Sequence, residues 1–138
     1  MEKIIEKIVT EKMGLPFIFD EWRTVDRAIG KTALPCCVCI MPVSGVLSVR
    51  NGRYTDRPNM YVAFLDKVAR DADGTENREV YERMKAHMTQ FIAEVNASKE
   101  LDDIDGEVAY DIIAEGMSDI LTGVGFSLSV RTTIPKCL

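Results

Sequence analysis

Residues 35–67 read PCCVCIMPVSGVLSVRNGRYTDRPNMYVAFLDK. Two near-continuous apolar runs, Cys36 to Met41 and Met60 to Leu65, bracket a polar hairpin at Asn51-Gly52. Runs that do not alternate belong to strands covered on both faces, so this stretch predicts the middle of a sheet with a layer on either side. Asn-Gly is a strong hairpin signal because both residues tolerate positive φ, and it joins Val46–Arg50 to Arg53–Arg57. Pro35 and Pro42 bound the first buried strand, where proline's missing N–H does least harm. Gly45 reads as a bulge or bend. Pro58 and Asn59 break the chain before the second buried strand, Met60 to Lys67.

Outward from this block, Glu2 to Met13 set Ile4, Ile5, Ile8 and Val9 on one face of an amphipathic helix, stopped by Gly14 and Pro16. Phe17 to Phe19 read as a short extended segment. DEWRTVDRAIGKTA is compatible with a helical turn or a short strand. On the other side, Val80, Met84, His87, Met88, Phe91, Ile92 and Val95 recur at three and four, which predicts a long amphipathic helix from about Thr75 to Ser98, capped by Thr75 or Asn77. Asn96 to Gly106 reads as an acidic connection crossing the edge of the sheet. Glu107 to Glu115 reads as a strand, Gly116 to Gly125 as a turn-rich interruption, and Gly125 to Thr132 as a half-exposed strand that Pro135 ends. The expected fold is α+β: one domain over 1–138, a mostly antiparallel sheet of about four to six strands, an N-terminal helix and one long helix packed on it.

The chain has 138 residues, of which 46% are hydrophobic and 28% charged, with a formal net charge of −5. A domain of that length buries roughly two thirds of the surface its unfolded chain exposes. The negative charge argues against a nucleic-acid partner, which needs a basic face. No apolar run reaches the length of a bilayer span and no signal-peptide core is visible, so neither a membrane nor a secretory route is expected.

Chemistry-bearing residues are sparse. Cys36, Cys37 and Cys39 crowd into one strand, where only Cys37 and Cys39 share a side. A zinc knuckle usually offers its C-x2-C pair in a turn with a second pair elsewhere, whereas these thiols lie in a predicted strand and the one remote thiol is Cys137. Buried thiols acting as small hydrophobes are the expectation. Aligning Gly74 or Gly106 with the invariant glycine of a calcium loop puts Ala69 and Val80, or Leu101 and Ile112, at the terminal ligand positions, so both loops fail the ligand pattern. His87, the single histidine, sits on the apolar stripe without a visible partner to orient it for acid–base work. No P-loop, dinucleotide fingerprint or nucleophile elbow occurs. No cofactor, metal or catalytic residue is expected, and the chain is read as not an enzyme.

The hairpin carries Arg50, Arg53, Tyr54 and Arg57. Arginine and tyrosine are enriched at interfaces, while charge on an edge strand also discourages unwanted strand addition. Both readings stand at this point. An acidic stretch, Asp102, Asp103, Asp105 and Glu107, offers the opposite sign.

The order helix, strand block with hairpin, long helix and two closing strands resembles the tail terminator or tail completion proteins of long-tailed bacteriophages. The stretches PCCVCIMPVSG, VAFLDK followed by DADGTEN, and TGVGFSLSVR are also similar to uncharacterised proteins of phages and prophages of Bacteroides-type bacteria. The resemblance implies a structural protein of the head-to-tail junction or tail end, self-associating into a ring and touching tail-tube or neck proteins. It would be found in the host cytoplasm during assembly and then in the virion. One hypothesis is that the arginine hairpin or the acidic stretch meets a neighbouring subunit or the tail-tube protein, with Tyr54 as an anchor. The alternative is a non-viral protein-binding or regulatory module without catalysis, using an exposed sheet edge.

Overall fold

The computed structural model describes residues 2–42, 44–68, 73–116, 121–129 and 132–134. The two apolar runs form β2 (Cys36–Ile40) and β5 (Met60–Lys67), paired antiparallel at the centre of a five-stranded sheet. Phe17–Asp20 forms β1, parallel to β2, so the sheet is mixed with a single parallel pair on this side. β7 (Leu121–Leu128) pairs with the other side of β5, and β6 (Tyr110–Gly116) completes the order β1-β2-β5-β7-β6. Three shorter strands, β3 (Gly45–Arg50), β4 (Arg53–Pro58) and β8 (Thr132–Ile134), make a second sheet in the order β3-β4-β8.

Both faces of the main sheet are covered, the condition the apolar runs demanded. α1 (Glu2–Lys7), its π-helical continuation over Ile8–Lys12, and the long α3 (Gly74–Ser98) lie on one face. There Ile5, Val9, Met84, Phe91 and Val95 pack on Cys37, Cys39, Val62, Phe64, Val124 and Phe126. Phe91 links the layers, with ring centroids 5.7 Å from Phe64 and 6.0 Å from Phe126. α2 (Trp22–Ala28), in the stretch left open between helix and strand, covers the other face. Its Val25, with Ile29 just beyond, meets Cys36, Val38, Ala63, Leu65 and Leu121.

Several sequence expectations are corrected. The cap of α3 is Asp73, whose carboxylate accepts from the Glu76 amide at 2.8 Å. Asn77 lies inside the helix, where its side-chain oxygen accepts from Thr122 on β7 at 2.7 Å. β6 starts at Tyr110, three residues later than the alternation suggested. β7 starts at Leu121, within the stretch read as turn-rich, and is buried along nearly its whole length instead of half exposed. Its glycines misled the reading. Gly123 and Gly125 are strand residues placed where neighbouring atoms approach too closely for a side chain. The chain leaves β7 at Ser129 and pairs again as β8 on the second sheet, so the expected strand 125–132 spans two sheets.

The acidic connection after α3 is tied back to the helix. Asn96 donates to the Ile104 carbonyl at 3.0 Å and accepts from its amide at 2.7 Å, while Leu101 is buried in the core. Lys99, at φ 58, turns the chain out of the helix.

Candidate interaction surface

The β3–β4 hairpin projects from the body. All six residues of β3 are exposed, including Val46, Leu47 and Val49. Asn51 (φ 50) and Gly52 (φ 75) form the turn, the left-handed pair that matches the twist of a two-residue hairpin.

That turn sets the register, and the register separates the residues the sequence had grouped. Arg50 faces Arg53, Val49 faces Tyr54, Ser48 faces Thr55 and Val46 faces Arg57. Directly opposed residues share a face and neighbours along a strand do not. Arg50, Arg53 and Arg57 therefore lie together on one face, with Val46, Ser48 and Thr55. Tyr54 lies on the other, with Leu47, Val49 and Asp56. The hairpin has a basic face and a largely apolar one, so Tyr54 cannot serve as the centre of the arginine patch. None of the three arginines makes an ion pair among the described residues.

The root of the hairpin is pinned. The Asn59 side chain donates to Ser44 Oγ at 3.0 Å and accepts from Ser129 at 3.2 Å, and its amide donates to the Ser44 carbonyl at 3.0 Å. The residues entering and leaving the hairpin are thus fastened to the end of β7.

A groove of about 510 Å³ opens where β6 stops pairing with β7, lined in part by Asp103, Asp105, Glu107, Asp111, Ser127 and Ser129. The acidic stretch noted in the sequence enters it through Asp103, Asp105 and Glu107, while Asp102 does not line it. Lys99 neutralises part of the charge, 3.5 Å from Asp103. Asp111 was not singled out by sequence, since it sits in a strand pattern with no acidic neighbours. Its Oδ2 accepts from the Tyr61 hydroxyl at 3.2 Å. Partial burial, with that hydrogen bond and charge, pushes the Tyr61 hydroxyl up to about 12.

Cys36, Cys37 and Cys39 are fully buried free thiols, divided between the two faces as the strand period requires. Burial pushes Cys36 and Cys39 up to about 12 and Cys37 well above the ordinary thiol value. A thiol held protonated is a poor nucleophile and a poor metal ligand. Cys137 lies outside the described residues. His87 is half-buried, its ring 6.4 Å from that of Phe64. Burial first, then the nearby Arg83 charge, lowers its pKa. Among the described residues no group of three His, Cys, Asp or Glu side chains could hold a metal ion, and no helix is long and apolar enough to cross a membrane.

No protein-family model matches this chain, and no curated protein matches it.

The two-faced hairpin was within reach of the sequence, because a two-residue turn fixes the pairing and the pairing fixes the faces. The groove was not, because it depends on where β6 parts from β7.

Proposed function

We propose that this chain is an assembly protein acting through protein–protein surfaces, a phage or prophage structural protein of the tail end or head-to-tail junction that self-associates into a ring. The observation that carries the assembly reading is the β3–β4 hairpin, its β3 strand exposed along its whole length, with three arginines on one face that make no ion pair among the described residues. A solvated edge needs charge but has no use for Val46, Leu47 and Val49 held 56–58% exposed on the same strand. The phage assignment rests on the resemblance of element order and of the quoted stretches. In this reading the protein has no cofactor and no catalytic residue.

The test is the mass of the purified protein by light scattering, alone and with the tail-tube protein encoded near it, followed by negative-stain imaging. Closed rings or capped tubes are expected. A chain indifferent to tail-tube protein, encoded away from portal and capsid genes, would transfer the assignment to a protein-binding module.

A further inference from the structure

We infer that the β3 edge of one copy pairs with the β6 edge of the next, so that the hairpin lends a strand to its neighbour's five-stranded sheet. This rests on the self-assembly reading above and specifies its contact.

Each sheet has two edges, and in each one edge is much shorter: β1 has four residues and β8 three. The longer edges are β3, with six residues, and β6, with seven. β6 is regular from Tyr110 to Ile113, beyond which its register with β7 shifts. A free edge presents unpaired N–H and C=O groups, and soluble proteins blunt it with charge, proline or a cover. Gly45 to Val49 on β3 carry no charge and no proline. On β6, Tyr110 and Ile112 are 42% and 49% exposed. β3 thus offers a strand template flanked by exposed apolar side chains, and β6 one flanked by Ile112 and by Tyr110, whose ring centroid lies 5.1 Å from the Lys85 ammonium.

Their faces match. β6 places Tyr110 and Ile112 on one side and Asp111 on the other. β3 places Leu47 and Val49 on one side and Arg50 on the other, with Arg53 and Arg57 beside it on β4. Laid edge to edge with the apolar faces aligned, the arginine face continues onto the face of Asp111, whose groove also holds Asp105 and Glu107. Pairing two copies through the same edge is worse. A β3–β3 contact would set six arginines on one face, counting three from each copy, and like charges across a sheet repel. A β6–β6 contact would do the same with Asp111. The favoured contact therefore joins two different patches, the head-to-tail kind from which a ring is built when the rotation between copies closes.

Cross-linking tests the pairing directly. Val49→Cys and Ile112→Cys are made separately in a Cys137→Ser background, mixed, and treated with a short thiol cross-linker. The expected product is a mixed cross-link that neither protein forms alone. Val49→Lys and Ile112→Lys, both at exposed positions, are each expected to weaken association about tenfold or more with the urea midpoint unchanged. Assembly by light scattering without a mixed cross-link would overturn the edge pairing and leave the assembly reading standing. A cross-link formed by Val49→Cys alone would overturn it in favour of a symmetric contact. A wild-type chain that stays monomeric at its highest soluble concentration would also overturn it, while the tail-tube experiment still judges the phage assignment.

Discussion

The ring of Tyr61 on β5 lies across Gly125 on β7, in the space a side chain there would occupy, and its hydroxyl reaches Asp111 on β6 at 3.2 Å. One aromatic side chain thus spans three strands on the face that α2 leaves partly open. Gly125 is needed for its missing Cβ, which would meet the Tyr61 ring and hydroxyl. Gly125→Ala should destabilise the fold by about 1–3 kcal/mol, the usual cost of overpacking. The penalty should shrink in a Tyr61→Ala background, since the tyrosine is the obstacle. At Gly123 the obstacle is the Phe64 backbone carbonyl, so Gly123→Ala should cost the same in either background. Urea unfolding of the two cycles measures both, and equal Gly125→Ala penalties would refute the contact.

Phe91 joins Phe64 and Phe126 at the centre of the helix-side core and is fully buried. Phe91→Ala should cost about 3–5 kcal/mol, from lost burial and the cavity left behind. Asp73→Ala removes the single carboxylate cap of α3 and should cost about 1 kcal/mol. Denaturant midpoints rank the two, and an equal cost would mean that the helix is held by its end as much as by its face.

The three central cysteines should be silent to thiol reagents at neutral pH in the folded protein. They are fully buried, and Cys36 and Cys39 are pushed up to about 12. In a Cys137→Ser background, a disulfide-exchange reagent should find no fast thiol under native conditions and three after denaturation. A native thiol reacting at the rate of a free peptide would show that β2 opens to solvent.

His87 should make the fold acid-sensitive. Its pKa is lowered from 6.5 by burial and by Arg83, against a smaller opposing effect of Asp66. Well above pH 6.5 both folded and unfolded chains hold it neutral, and it contributes no pH dependence. As the pH falls through 6.5 the unfolded chain binds the proton first, so stability declines until the folded chain's own lower pKa is passed. His87→Gln should flatten this part of the melting-temperature profile. Parallel profiles for the two proteins would exclude His87 as the cause.

Arg50, Arg53 and Arg57 share a face without ion pairs among the described residues. Reversing all three to Glu should shift stability by no more than about 0.5 kcal/mol per site while abolishing self-association. Light scattering on the folded variant reads the second effect, and unchanged assembly would remove the basic face from the interface.

What sequence alone determined about this protein is its local structure. The unbroken apolar runs of β2 and β5 required a sheet covered on both faces, Asn51-Gly52 required the hairpin between them, and the stripe from Val80 to Val95 required α3, because each signal acts within one element or between neighbours. It also placed the cysteines correctly on alternate faces. Tertiary structure decided what depends on distant partners. Gly123 and Gly125 read as turn residues until β5 lay beside them, with the Phe64 carbonyl and the Tyr61 ring filling their side-chain space. The acidic residues became a groove only because β6 separates from β7, and the hairpin became a three-stranded sheet only because β8 returned to β4. Such pairings join residues far apart in the chain, and no local period encodes which strand a segment will meet.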